Sequence, residues 1–168
     1  MQSDIRTVKI FMAEDNAGDV LLIREAMAAY GLSLQLQRSE DGEDAVAQLS
    51  LLQREDLPDL IIIDLNLPRI GGMEVLRHAR SLRQLDNVPV IVLTSSQMKA
   101  DHAEAEVLGA TAFLTKPPTL NDFISVVGGA IHRLARREAT EARMRLGILL
   151  ALTYTVWIRR VALTLKIR

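Results

Sequence analysis

Four branched apolar residues in a row, Leu60-Ile61-Ile62-Ile63, end at Asp64 and are followed by Leu65-Asn66-Leu67-Pro68. Such a run reads as a strand buried on both faces, as in a parallel sheet. Around it the chain switches between two periods. Val8–Ala13, Pro89–Leu93 and Ala112–Thr115 are further short apolar runs and read as strands. Leu34–Gln37 alternates apolar and polar residues, which suits a strand nearer a sheet edge. Helical spacing occupies Val20–Tyr30, with Gly31 as its C-terminal cap, then Glu43–Leu52, Met73–Leu85, and Asp101–Leu108 closed by Gly109. A last helix begins near Thr119. Thr119 and Asp122 have capping-box spacing, and Phe123, Ile124, Val127, Ile131 and Leu134 form the inward stripe. Five strands alternating with five helices predict an α/β fold, a five-stranded parallel sheet, doubly wound through right-handed crossovers.

Composition narrows the class. The 168 residues suit one domain plus an appendage. Hydrophobic residues make up 49% and charged residues 24%, as in ordinary globular domains. With no cysteine, disulfides, zinc-thiolate sites and thiol catalysis are excluded. The opening MQSDIRTVKIFM shows no basic region followed by a long apolar one, so a cytoplasmic location is expected. Charge is unevenly spread. Residues 1–135 carry 12 Lys/Arg against 19 Asp/Glu, whereas residues 136–168 carry 8 against 2. The division predicts an acidic body, 1–135, and a basic, apolar C-terminal extension, 136–168. The acidic body argues against a nucleic-acid-binding face.

The predicted strand ends carry the candidate chemistry. The first strand ends in Glu14-Asp15, the third in Asp64, the fourth in Thr94-Ser95-Ser96 and the fifth in Lys116-Pro117. In a parallel sheet these ends share one edge, where open α/β folds bind their ligands. Each group alone has an ordinary explanation as a cap, turn or strand terminator; their joint occurrence on one edge does not. Three carboxylates together repel. Either one takes a proton at a raised pKa, or a cation sits among them. An all-oxygen set suits a hard divalent ion, Mg²⁺ above all. With Lys116 and Thr94 added, the set supplies what a phosphoryl group needs, namely charge neutralisation and positioning. Asp64 is itself a competent nucleophile toward phosphorus.

The segments EDNAGDVLLIREAM (14–27), LIIIDLNLPRIGGMEVL (60–76), PVIVLTSS (89–96) and GATAFLTKP (109–117) resemble the receiver domains of two-component response regulators, in order and spacing across residues 8–135. EDN…DV, DLNLP and LTSS are most similar to the single-domain regulators of phytochrome-type histidine kinases. The resemblance implies a flavodoxin-like receiver fold and a signalling protein rather than an enzyme, though one that assists its own Mg²⁺-dependent phosphorylation and dephosphorylation. Asp64 would accept a phosphoryl group from a sensor histidine kinase, such as a bacteriophytochrome, and the signal would pass by partner binding or phosphorelay. Mg²⁺ (or Mn²⁺) would be held by Asp15, Asp64 and the backbone carbonyl of Asn66, with Glu14 acting through water. Thr94, Ser95 and Lys116 would receive the phosphoryl oxygens, and Phe113 would be the switch aromatic. The Lys116-Pro117 bond is expected to be cis, and Gly72 fits the family's glycine after the active-site loop. Gly71 departs from the polar residue often found there, which implies a looser loop.

Two alternatives stay open. A haloacid-dehalogenase-like phosphatase also uses a strand-end Asp, but expects a second acid where Asn66 stands. A phosphorylation-independent binding module is the other. The extension has three readings. Arg136–Arg145 would lengthen the last helix through paired charges, and Val161, Leu163, Leu165 and Ile167 alternate like a strand. Leu146–Ile158 is uncharged but too short to span a bilayer. A dimerisation arm giving a homodimer with the last helix is favoured over a membrane-surface segment or a poorly ordered extension.

Overall fold

The computed structural model describes residues 7–135. The readings for residues 136–168, including the dimerisation arm, lie outside them. Five strands, β1 (Thr7–Ala13), β2 (Ser33–Ser39), β3 (Leu60–Ile63), β4 (Val90–Thr94) and β5 (Ala112–Thr115), form one sheet in the order β2-β1-β3-β4-β5. Every pairing is parallel. The helices between them are α1 (Ala17–Ala29), α2 (Gly42–Leu51), α3 (Gly72–Ser81) and α4 (Lys99–Val107). A fifth, α5, opens at Leu120–Phe123, widens into a π-helical turn at Ile124–Gly128 and continues helical to Ala135.

Alternation along the strands divides the core into two layers. Val8, Ile10, Met12, Leu60, Ile62, Ile91 and Leu93 meet Val20, Ile23 and Met27 of α1 and Phe123, Val127 and Ile131 of α5. Phe11, Ala13, Ile61, Ile63, Val90 and Val92 meet Ala45 and Leu49 of α2, Val75, Leu76 and Ala79 of α3, and Ala105 of α4. β3 is buried on both faces, as its unbroken apolar run requires. β2 pairs with β1 alone and is an edge strand, which explains its polar alternation. Gly31 and Gly109 close α1 and α4 at φ 65° and 91°, the left-handed region that favours glycine.

The expected helix Met73–Leu85 is two pieces. α3 stops at Ser81, Leu82 is extended, and Arg83–Leu85 forms a 3₁₀ turn. Arg80 donates to the carbonyls of Leu85 and Val88, and to that of Gly109, so it ties the segment after the break to the end of α4. Leu82 and Leu85 keep three-residue spacing through the break, which hides it from periodicity.

Connections leave β1 and β3 toward opposite ends of the sheet, so a crevice opens at their C-terminal edge. Asp64 follows β3 directly, and its N–H still donates to Ala13 O at 3.0 Å.

Candidate functional site

Each side chain at this edge is fixed by the element that ends there. β1 delivers Glu14, whose N–H donates to Ser39 O of β2. Its Oε1 accepts from the Asn16 N–H at 3.0 Å, and Asn16 Oδ1 in turn caps α1 by accepting from the Gly18 N–H at 2.8 Å. Asp15, between them, is exposed. Arg38, from β2, clamps the same loop, donating from Nε to Glu14 O and from a terminal nitrogen to Asp15 O at 2.9 and 2.7 Å.

Asp64 is buried, and its Oδ1 accepts from the Asn66 N–H at 3.0 Å. The turn after it is drawn tight by Gly72, whose N–H donates to Leu65 O. A Cβ at Gly72 would stand 1.9 Å from Asp64 O, so no larger residue fits without displacing the backbone. β5 carries Lys116 to the same point. Its Nζ donates to Glu14 Oε2 at 2.8 Å, Asp19 Oδ2 at 2.6 Å and Asp64 Oδ2 at 2.5 Å. Burial alone would lower the lysine's pKa. The hydrogen bonds to Asp19, Asp64 and Glu14 outweigh that and raise it. Burial raises the Glu14 carboxyl above the usual carboxylate range; Lys116 and the Asn16 N–H offset this in part.

Glu14, Asp15, Asn16, Asp19, Asp64, Asn66, Ser95 and Lys116 line one cleft of about 660 Å³. Oxygens of Glu14, Asp15 and Asp64 all lie within 4.8 Å of one another. An all-oxygen, carboxylate-rich set of this kind fits Mg²⁺ or Mn²⁺. Thr94 is fully buried beside the cleft rather than lining it, and its Oγ1 accepts from the Ser96 N–H at 3.2 Å. Phe113 stands apart. It is half-buried in the α4–β5 region and meets His102 edge-on at 5.0 Å.

One expectation is corrected. No described peptide bond is cis, so Lys116-Pro117 is trans. The trans form is favoured for X-Pro by about 0.5–1 kcal/mol, and Lys116 reaches its three carboxylates without the rarer isomer. Two contributors escaped the sequence reading, Asp19 and Arg38. Asp19 lies three residues after the helix cap Asn16, where an acid reads as part of a capping box. Arg38 sits on a polar edge strand and gives no signal.

With strand order, acidic pocket and lysine in view, residues 10–128 match the family described as the response regulator receiver domain. The chain belongs to that family. This receiver is 31% identical over 121 residues to the polar-differentiation response regulator DivK of Brucella ovis, covering 72% of this chain and 94% of DivK. Among solved structures it is similar to the phosphorylated cyanobacterial phytochrome response regulator RcpA, at 34% identity and TM-score 0.68. It is also similar to the Mn²⁺-bound form of response regulator Rcp1, at 32% and 0.66; each match covers 74% of this chain and 91% of the other. The receiver family is one of signalling proteins, which separates this chain from the dehalogenase-like phosphatases. Among the described residues, no helix is long and apolar enough to cross a membrane.

Proposed function

We propose that this receiver takes a phosphoryl group on Asp64 from a phosphohistidine of a sensor histidine kinase, and signals by partner binding or by relay to another histidine. The observation that carries this reading is the contact of Lys116 Nζ with Asp64 Oδ2 inside an acidic, oxygen-lined cleft. In the transfer an Asp64 carboxylate oxygen forms a bond to phosphorus. The phosphorus–nitrogen bond breaks, and its electron pair returns to the imidazole. Lys116 supplies a cation beside the accepting carboxylate, and burial of Asp64 strengthens that interaction. Asp15, Asp64 and the carbonyl of Asn66 would hold Mg²⁺ or Mn²⁺, with Glu14 acting through water. When bound, the ion would supply the charge neutralisation that lets an anionic donor approach. Thr94 and Ser95 would donate to phosphoryl oxygens, and Phe113 would respond to the movement of Thr94. The same groups would assist both phosphorylation and dephosphorylation.

A phytochrome-type kinase as partner, such as a bacteriophytochrome, is supported by the likeness to RcpA and by the wording EDN…DV, DLNLP and LTSS. A cytoplasmic location, and a homodimer through the last helix and residues 136–168, belong to the same reading. The test is incubation with Mg²⁺ and acetyl phosphate. An acid-stable, base-labile acyl phosphate is expected on the wild type and none on Asp64→Asn. Its absence from the wild type would return the chain to a phosphorylation-independent binding module, and an equal signal on the variant would remove Asp64 as the acceptor.

A further inference from the structure

We propose that Asp19 is a positioning residue that divides Lys116 between α1 and the acceptor carboxylate, and so sets how much of the ammonium's charge reaches a phosphoryl group on Asp64. The inference rests on the phosphoacceptor reading of the same cleft.

An ammonium has three donor hydrogens. All three are engaged, by Glu14 Oε2, Asp19 Oδ2 and Asp64 Oδ2 at 2.8, 2.6 and 2.5 Å. Glu14 and Asp64 reach Lys116 from strand ends; Asp19 alone reaches it from a helix, in the first turn of α1. Glu14 is fully buried and its second oxygen is held by the Asn16 N–H, so it cannot follow the lysine. Once Asp64 is phosphorylated, its negative charge moves out onto the phosphoryl oxygens. The third N–H of Lys116 follows that charge, while Glu14 and Asp19 keep the other two.

Asp19 therefore has two effects of opposite sign. Its charge adds to the carboxylates that would attract a divalent cation. It also competes with the phosphoryl oxygens for Lys116. A residue that only supported the fold would shift both bindings the same way.

The experiment uses the full chain and the near-isosteric Asp19→Asn, with Asp19→Glu as the charge-conserving control. Mg²⁺ affinity is measured by calorimetric titration. Affinity for beryllofluoride, a phosphoryl mimic that bonds to a carboxylate, is measured at saturating Mg²⁺. Asp19→Asn is expected to weaken Mg²⁺ binding by about threefold to tenfold and to tighten beryllofluoride binding by a similar factor. Asp19→Glu should return both toward wild type. Weakening of both, or no shift in either, while the wild type binds beryllofluoride overturns the proposal alone. A wild type that fails to bind beryllofluoride overturns the phosphoacceptor reading, and this proposal with it.

Discussion

Three carboxylates converge on Lys116 Nζ, and two of them, Glu14 and Asp64, are shut away from water. Removing the ammonium strands those charges in a poorly solvated place. Lys116→Met is therefore expected to destabilise the protein in chelator by about 3–5 kcal/mol, with added Mg²⁺ restoring part of the loss, as read by urea denaturation. Glu14→Gln acts the other way. Burial raises the Glu14 pKa, so over the pH range between its unfolded and folded values the native state holds a proton that the unfolded chain has released. Stability contributed by this group falls as pH rises through that range. Glu14→Gln should melt higher than wild type in chelator near neutral pH, and its melting temperature should lack that segment of pH dependence. For Lys116 the sign is that of a raised base. Its contribution is complete below the ordinary lysine range and disappears only at strongly alkaline pH.

The elements explain why the sequence announced most of this site. β3 is a run of four buried residues, and no helix pattern competes with it, so the position of Asp64 at its end was legible. The same holds for Glu14 after β1 and Lys116 after β5. The break after Ser81 was not legible, because the partly buried Leu82 and the buried Leu85 keep the apolar spacing of a continuing helix. Asp19 escaped notice because an acid in a helix first turn has an ordinary explanation as helix chemistry. The Pro117 isomer could not be read from local sequence, since the two forms differ by so little. The junction of β3 with α3 carries its own prediction. Gly72→Ala puts a methyl group against the Asp64 carbonyl, and its expected cost is about 1–3 kcal/mol with weakened Mg²⁺ binding. Thermal melts and metal titration of the same preparation check both parts.

At the scale of the whole molecule, the doubly wound sheet explains how residues as distant in sequence as Glu14 and Lys116 meet. Parallel strands return each C-terminal end to one edge, and the reversal of winding between β1 and β3 opens it. Residues 136–168 are basic and apolar, and the proposed homodimer assigns them to assembly. Light scattering should give a dimer mass for the full chain and a monomer mass for a chain truncated after Arg136. An unchanged dimer would exclude an essential role for the extension.

The most direct test of the central claim locates the phosphoryl group itself. After incubation with Mg²⁺ and acetyl phosphate, borohydride reduces an aspartyl phosphate to homoserine, and peptide mass spectrometry reads its position. The expected result is homoserine at position 64 alone; modification at Asp15 or Asp19 with Asp64 intact would contradict the account.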